Sequence, residues 1–312
     1  AVPPYHIAGI SAVLSSTYAC RRMVQLPNFD GRAWLELCRG EGVSHAFVVP
    51  TMLSRVIECI DHDGVPAELP RLRALAYGGG KMPAPVIERA MRAWPHVDYT
   101  NAYGLTETSS TIALLDPDEH RTGFHASDPA VRKRLHSVGK PIGSIELEIR
   151  GADGRPVAEG EVGDVFVRGG QVSGEYEGVG SLRDDGGWFA TRDRGYLDAY
   201  GFLYLDGRAD DVIVRGGENI SPGEIEDVLR AHPAVADAAA VAIADAQWGE
   251  AVGAVIVKAP GAEVGAAELQ DWVRQRLRSS RVPAQLRFRS ELPHNEMGKI
   301  LRRVLKDEFA AN

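Results

Sequence analysis

Cysteine is scarce. Cys20, Cys38 and Cys59 are the only three, and none has the C-x-x-C spacing that a zinc site or redox pair needs. They read as free thiols in a reducing compartment, so a cytoplasmic protein is expected. A basic surplus is missing as well. The formal net charge is −8, and neutralising a nucleic-acid backbone needs a basic surface, so no nucleic-acid partner is expected. A nucleotide site needs only a few local donors and stays open. No apolar run approaches the roughly 20 residues of a membrane span, and no signal peptide is visible. The chain opens Ala-Val-Pro-Pro without an initiator Met, from which we expect further sequence ahead of residue 1.

Apolar residues are plentiful, at 44% of 312, ample for about two domains of ~100–200 residues each. Residues 31–60 carry a helical period in GRAWLELCRGEG, a short buried strand in HAFVVP and a second helical run in TMLSRVIECI after Pro50. RLRALAYGGG reads as a strand ending in a glycine turn, and MPAPVIERAMRAW as a helix with Pro in its first turn. Alternating strands and helices predict a parallel, layered α/β sheet.

From Ser137 the texture changes. SIELEIRG, DVFVRG and GFLYLDG are short alternating runs broken by Gly and Asp-Gly, the pattern of a small antiparallel β unit. Past Arg208 it changes again. ISPGEIEDVLRAH signals a helix start twice, with Ser221 and Glu224 as a capping box and Pro222 at the first helical position. The apolar runs AAAVAIA and AVGAVIV, a helical ELQDWVRQRLR and a strand around LRFRSEL complete a separate α+β unit. The expected division is therefore 1–136 for the tail of a large α/β domain, 137–207 for a β-rich subdomain and 208–312 for an α+β domain, with the boundary at 207-GRADD-211.

Four segments remain that could carry chemistry: 78-GGGKMP-83, 101-NAYGLTETSST-111, the long 187-GWFATRDRGYLDAYGFLYLDGRADDVIVRGGENISPGEIE-226 and 293-PHNEMGKILRR-303. Each has an ordinary structural reading: a tight turn, a strand running out into a Thr-rich turn, a hairpin followed by a capped helix, and a solvated basic helix. Taken together and in this order, they resemble the adenylate-forming (AMP-binding) superfamily, and most closely its acyl- and aryl-CoA ligase branch. The resemblance runs from residue 1 to about Lys306.

The resemblance implies a ligase that uses ATP, Mg²⁺ and coenzyme A. A carboxylate attacks the α-phosphorus of ATP and pyrophosphate leaves; a thiol then takes the acyl group and AMP departs. Residue by residue, Tyr103 matches the aromatic that stacks on adenine, Thr106 an α-phosphate contact and Glu107 the Mg²⁺ ligand. Gly78, Gly79 and Gly80 would allow close backbone approach to the acyl adenylate. Gly104 would share the substrate pocket with His6, Gly78 and Gly79. Asp193 matches the carboxylate on the ribose hydroxyls, Arg208 a second ribose or phosphate contact, and Asp210 the hinge of a mobile lid. Lys299 matches the lysine that reaches the α-phosphate and the substrate carboxylate in the first half-reaction. Gly216, Gly217 and Trp248 would line the pantetheine tunnel.

In 3-PPYHIAG-9, amino-acid-activating relatives carry an aspartate for the substrate ammonium where this chain has Tyr5-His6, which implies a carboxylic acid without an α-amino group. The ordinary reading of His6 is a packed, hydrogen-bonded side chain. Three departures from the family pattern stand out. Its Ser/Thr/Gly-rich phosphate loop is expected ahead of residue 1, Arg192 stands where Thr-Gly-Asp has glycine, and Arg281 stands where a lysine often contacts the CoA nucleotide. Surface exposure is the default for Arg192. Two other readings stay open: a non-catalytic piece that binds nucleotide or a partner, and an adenylating unit that loads a carrier protein. A homo-oligomer is also left open.

Overall fold

The computed structural model describes residues 2, 4–176, 178, 180–295 and 299–310. The chain divides into two compact units, the first made of residues up to 191 with 195–205, the second of 192–194, 206–295 and 299 onward.

The first unit opens with α1 (Ile7–Tyr18) and α2 (Gly31–Gly40), then alternates β1 (His45–Val48), α3 (Pro50–Asp61), β2 (Ala74–Gly78), α4 (Ala84–Ala93) and β3 (Asp98–Leu105). Local signals explain the helices. Asp30 caps α2 by accepting from Ala33 N at 2.8 Å, and Trp34, Leu35 and Cys38 then fall on one buried stripe. Pro50 opens α3, where its missing N–H costs nothing. These stripes close over the sheet around Leu53, Val56, Leu75, Tyr77, Ile87, Trp94 and Tyr99.

β1, β2 and β3 pair in parallel as the alternation predicts, but β4 (Ser110–Leu115) runs antiparallel to β3. The cause is the link: one 3-10 turn, Thr106–Thr108, joins the strands, whereas a parallel return needs a crossover of a dozen or more residues. Next come α5 (Pro117–His125), α6 (Pro129–Arg132) and β5 (Lys140–Pro141), which pairs antiparallel with β4 and makes the sheet mixed. One buried polar group stands out: His120, on α5. Its Nε2 lies 2.8 Å from the Tyr77 hydroxyl and its Nδ1 2.8 Å from the Asp116 carbonyl. A carbonyl can only accept, so Nδ1 carries a proton. Burial pushes its pKa down to about 4.

The β-rich portion contains β6 (Ile145–Arg150), β7 (Gly163–Gly169), the short pair β8 (Glu175–Tyr176) and β9 (Gly180–Ser181), then β10 (Phe189–Leu197) and β11 (Leu203–Arg208). A four-stranded sheet runs β11-β10-β7-β6, with β6 and β7 antiparallel. Its core of Ile145, Ile149, Val165, Val167, Phe189 and Leu203 also takes in Ile112 of β4, with Tyr103 and Leu105 packed against it.

The second unit holds β12 (Ile213–Arg215), β13 (Glu218–Ile220), α7 (Pro222–Arg230), β14 (Val235–Asp245), β15 (Gly249–Lys258), α8 (Ala266–Arg274), β16 (Gln285–Arg289) and α9 (Arg302–Ala310). β14 and β15 form an antiparallel hairpin buried on both faces. Ala238, Ala240, Val252, Ala254 and Ile256 face one core with Ile225, Leu229, Leu269 and Val273, while Ala239, Val241, Ala251 and Val255 face another with Leu305 and Phe309. Two-sided burial explains why both strands read as unbroken apolar runs. The expected capping box does not form: α7 starts at Pro222, but the Ser221 hydroxyl donates to the Asp206 carbonyl instead of accepting from the helix. Glu224 is turned to Arg281, 2.7 Å away. Among the described residues no helix is long and apolar enough to cross a membrane.

Candidate functional site

Gly78 ends β2, and its register partner on β3 is Ala102, so Gly79, Gly80 and Tyr103 emerge together at the carboxyl ends of adjacent parallel strands. This is where open α/β sheets bind ligands. A Cβ on Gly78 would lie 2.3 Å from the Ala102 carbonyl, and Gly79 has φ +83°. Glycine is therefore required at both before any ligand is considered. Gly80 meets only Pro50, at 3.8 Å, and is free to approach something else. Gly104 lies against β4 so closely that a Cβ would meet the Ser110 carbonyl at 1.6 Å.

The Thr106–Thr108 turn sorts its side chains. Thr108 is fully buried, with its hydroxyl 3.0 Å from the Leu105 N–H, the Leu105 carbonyl and the Ser110 carbonyl. Thr106 is exposed and Glu107 half-buried. Ser109 and Ser110 have φ of 52° and 99°, backbone that non-glycine residues rarely adopt and that clusters at functional sites. Gln171 braces the turn by donating to the carbonyls of Thr108 (3.0 Å) and Thr111 (2.8 Å), and the Glu107 carbonyl accepts from Ser173 N at 2.9 Å. Gln171 was not foreseen, since a lone glutamine in a loop carries no sequence signal.

Glu107 is a suitable magnesium donor. Among the described residues no group of three or more His, Cys, Asp or Glu side chains could hold a metal. Mg²⁺ commonly binds through one or two carboxylates and completes its shell with substrate phosphates and water. Tyr103 is half-buried on the β-sheet core. His6 caps α1, its Nδ1 accepting from Ala8 N at 3.2 Å, which is the ordinary structural role, and α1 touches β4.

In the second unit, Asp193 and Arg208 come together at 3.4 Å, the carboxylate largely buried and the guanidinium half-exposed. Arg192 has φ +61°, a left-handed backbone that glycine would adopt without strain. Its side chain lies 3.5 Å from Asp210, so it is exposed, as expected, but has an ion-pair partner. Gly216 and Gly217 form a two-residue hairpin turn between β12 and β13, both at positive φ. The ring of Trp248 covers Gly216 so closely that a Cβ there would lie 2.7 Å from it. Arg281 is held by Glu218 (2.5 Å) and Glu224 (2.7 Å), so its charge is already engaged within its own unit. Lys299 is exposed, its N–H held by the Asn295 side chain at 2.9 Å; the neighbouring 296–298 lie outside the described residues.

The fold is that of the adenylate-forming ligases, a layered α/β unit followed by a separate α+β unit. The chain belongs to the AMP-binding enzyme family: the model for the AMP-binding enzyme matches residues 1–177, and that for its C-terminal domain matches 224–299. It is 36% identical over 311 residues to the 2-succinylbenzoate–CoA ligase of Geobacillus kaustophilus, covering 98% of this chain and 60% of that protein. It is 33% identical over 312 residues to the fatty acid–[acyl-carrier-protein] ligase ScoC of Streptomyces coeruleorubidus, covering 99% and 58%. Among solved structures it resembles the Bacillus subtilis o-succinylbenzoate CoA synthetase in complex with its acyl-adenylate intermediate. There the TM-score is 0.81 at 33% identity, over 98% of this chain and 60% of that one. The chain thus spans about 60% of the length of the curated relatives it matches.

Proposed function

We propose that this chain is the adenylate-handling portion of an ATP-dependent acid–thiol ligase that activates an acyl or aryl carboxylic acid lacking an α-amino group and passes it to coenzyme A. The observation that carries the reading is the Thr106–Thr108 turn. A buried hydroxyl and Gln171 hold it at the end of β3, ahead of two residues in strained backbone, with the Thr106 hydroxyl exposed and Glu107 half-buried beside it.

Each residue then has a task. Tyr103 stacks on adenine, and Asp193, kept oriented by Arg208, accepts from the ribose hydroxyls. Thr106 donates to the α-phosphate. Glu107 holds Mg²⁺, which when bound neutralises phosphate charge. Gly79 and Gly80 let the acyl adenylate lie against the backbone, with His6, Gly78 and Gly104 in the pocket wall. Lys299 stabilises the negative charge gathering on the α-phosphate in the first half-reaction. Asp210 serves as hinge, and Gly216, Gly217 and Trp248 guide the thiol in the second. A carrier-protein thiol as acceptor is the second reading; the similarity to ScoC and the engagement of Arg281 by two glutamates favour it.

The test is acid-dependent pyrophosphate release by the full-length protein against a panel of fatty acids, aryl acids and amino acids, followed by acyl transfer to coenzyme A or to a carrier protein. Release with acyl or aryl acids alone is expected. Release driven by amino acids, or none with any acid, would refute the reading.

A further inference from the structure

The second unit contains a buried charge network that the reaction as described above does not use. Glu226, on α7, is 4% exposed. Its Oε1 accepts from Ala240 N at 2.8 Å and from Arg302 Nη1 at 2.5 Å, and the same Nη1 donates to the Ala240 carbonyl at 2.7 Å. Arg302 Nε lies 3.3 Å from Asp211. Arg230 flanks Glu226 at 3.6 Å and is itself held by Asp237 at 2.8 Å and the Ala238 carbonyl at 2.7 Å. Burial by itself would raise the Glu226 carboxyl; Arg302 and then Arg230 outweigh it and hold it below the usual carboxylate range. A buried pair of this kind is weak evidence for stability, since apolar replacements often do as well.

The position of the network suggests a use. Arg302 begins α9 at the foot of the turn that presents Lys299. That turn is closed by Asn295 N donating to the Lys299 carbonyl at 2.9 Å, by a bridge between His294 and Ile300, and by Leu301 N donating to Pro293 at 2.8 Å. On its other side Arg302 grips Asp211, next in sequence to Asp210. One guanidinium therefore ties the lysine turn, the buried strand β14 and the segment after Arg208 into a single piece.

We propose that Glu226 and Arg302 are positioning residues for Lys299: clamped between Glu226, Asp211 and the Ala240 peptide, Arg302 sets where the lysine turn leaves the body of its unit. This inference rests on the role of Lys299 in the first half-reaction. A lysine is a point charge on a long flexible stem and gains nothing from proximity unless its base is fixed. Misplacement of about 1 Å can cost roughly 10²-fold in rate.

The test is a double-mutant cycle in the full-length protein, read separately on pyrophosphate release and on thiolation of a supplied acyl adenylate. Because Arg302→Ala strands a buried carboxylate, the working variant is Glu226→Gln/Arg302→Leu, which keeps an acceptor for Ala240 N and removes the charge pair, with folding checked by circular dichroism. It is expected to slow the first half-reaction by roughly 10-fold to 10²-fold and to leave the second within about twofold, since thiolation does not use the lysine on this reading. In a Lys299→Ala background it should cause no further loss, because residues acting through one group are not additive. Equal loss in both half-reactions, or the same loss with and without Lys299, would overturn the proposal and leave the network purely structural. Lys299→Ala with an undiminished first half-reaction would instead refute the underlying reading of Lys299.

Discussion

Leu105 and Thr108 grip each other across the Thr106–Thr108 turn: the threonine hydroxyl accepts from the Leu105 N–H and can donate to its carbonyl, both at 3.0 Å. One buried side chain thus satisfies backbone groups at both edges of a turn whose next residue, Ser109, is left-handed. The turn is rigid because of Thr108, while Thr106 beside it is exposed and Glu107 half-buried.

The two threonines should therefore fail differently. Thr108→Val keeps the volume but removes the hydroxyl, stranding buried backbone groups, and should destabilise the first unit by about 1–3 kcal/mol. Thr106→Val, at an exposed position, should change stability by less than about 0.5 kcal/mol while slowing pyrophosphate release. Urea unfolding alongside the release assay separates them. Equal stability losses would show that the division of labour is wrong.

Glycines around the strand ends should be ranked by what a Cβ would strike. Gly104→Ala, placing carbon 1.6 Å from the Ser110 carbonyl, should prevent β3 and β4 from pairing as they do and cost more than about 3 kcal/mol, the upper range for overpacking. Gly80→Ala meets only Pro50 at 3.8 Å and should leave the unfolding midpoint nearly unchanged. Comparable thermal shifts for the two would contradict the packing described here.

Arg192 makes a backbone prediction. At φ +61° a β-branched side chain is strongly disfavoured, so Arg192→Val should cost about 1–2 kcal/mol. Arg192→Gly should be tolerated, since the exposed pair with Asp210 that it removes contributes about 0–1 kcal/mol and glycine relieves the left-handed strain. Denaturant midpoints for both variants decide the matter; a glycine variant as unstable as the valine one would place the cost in the lost ion pair.

His120 should make the first unit acid-sensitive. Burial lowers its pKa to about 4 from 6.5, so between those values the unfolded chain takes up a proton that the folded site refuses. Stability is therefore fully present above about pH 6.5 and declines toward pH 4, by on the order of 3 kcal/mol for this residue. His120→Gln should flatten that slope relative to the unsubstituted protein in urea titrations at pH 7.5, 6 and 5. An identical slope in both would rule the histidine out as the cause.

Much of the architecture was legible before any coordinates. The stripes in α2, α3 and α4 and the apolar runs of β14 and β15 follow from periodicity, and the segment around YGLTETSS pointed to the right family. One local expectation failed. Ser221 and Glu224 have the spacing of a capping box, yet the Asp206 carbonyl and Arg281 claimed them from a distance. Arg281, a departure from the family's lysine, is likewise engaged by Glu218 and Glu224. The strand–helix alternation predicts the parallel part of the sheet, and the shortness of the Thr106–Thr108 link makes β4 antiparallel to β3.

The order of residues alone determined which stretches become helices and strands, where glycine had to stand, and which family the chain joins, because periodicity, turn chemistry and motif spacing act within a few positions. Which polar groups find each other was decided only in three dimensions: Gln171 under the threonine turn, Arg192 on Asp210, Arg302 between Glu226 and Asp211. A buried charge or hydroxyl must be satisfied by whatever the completed fold brings within about 3 Å, and that neighbour can lie anywhere along the chain.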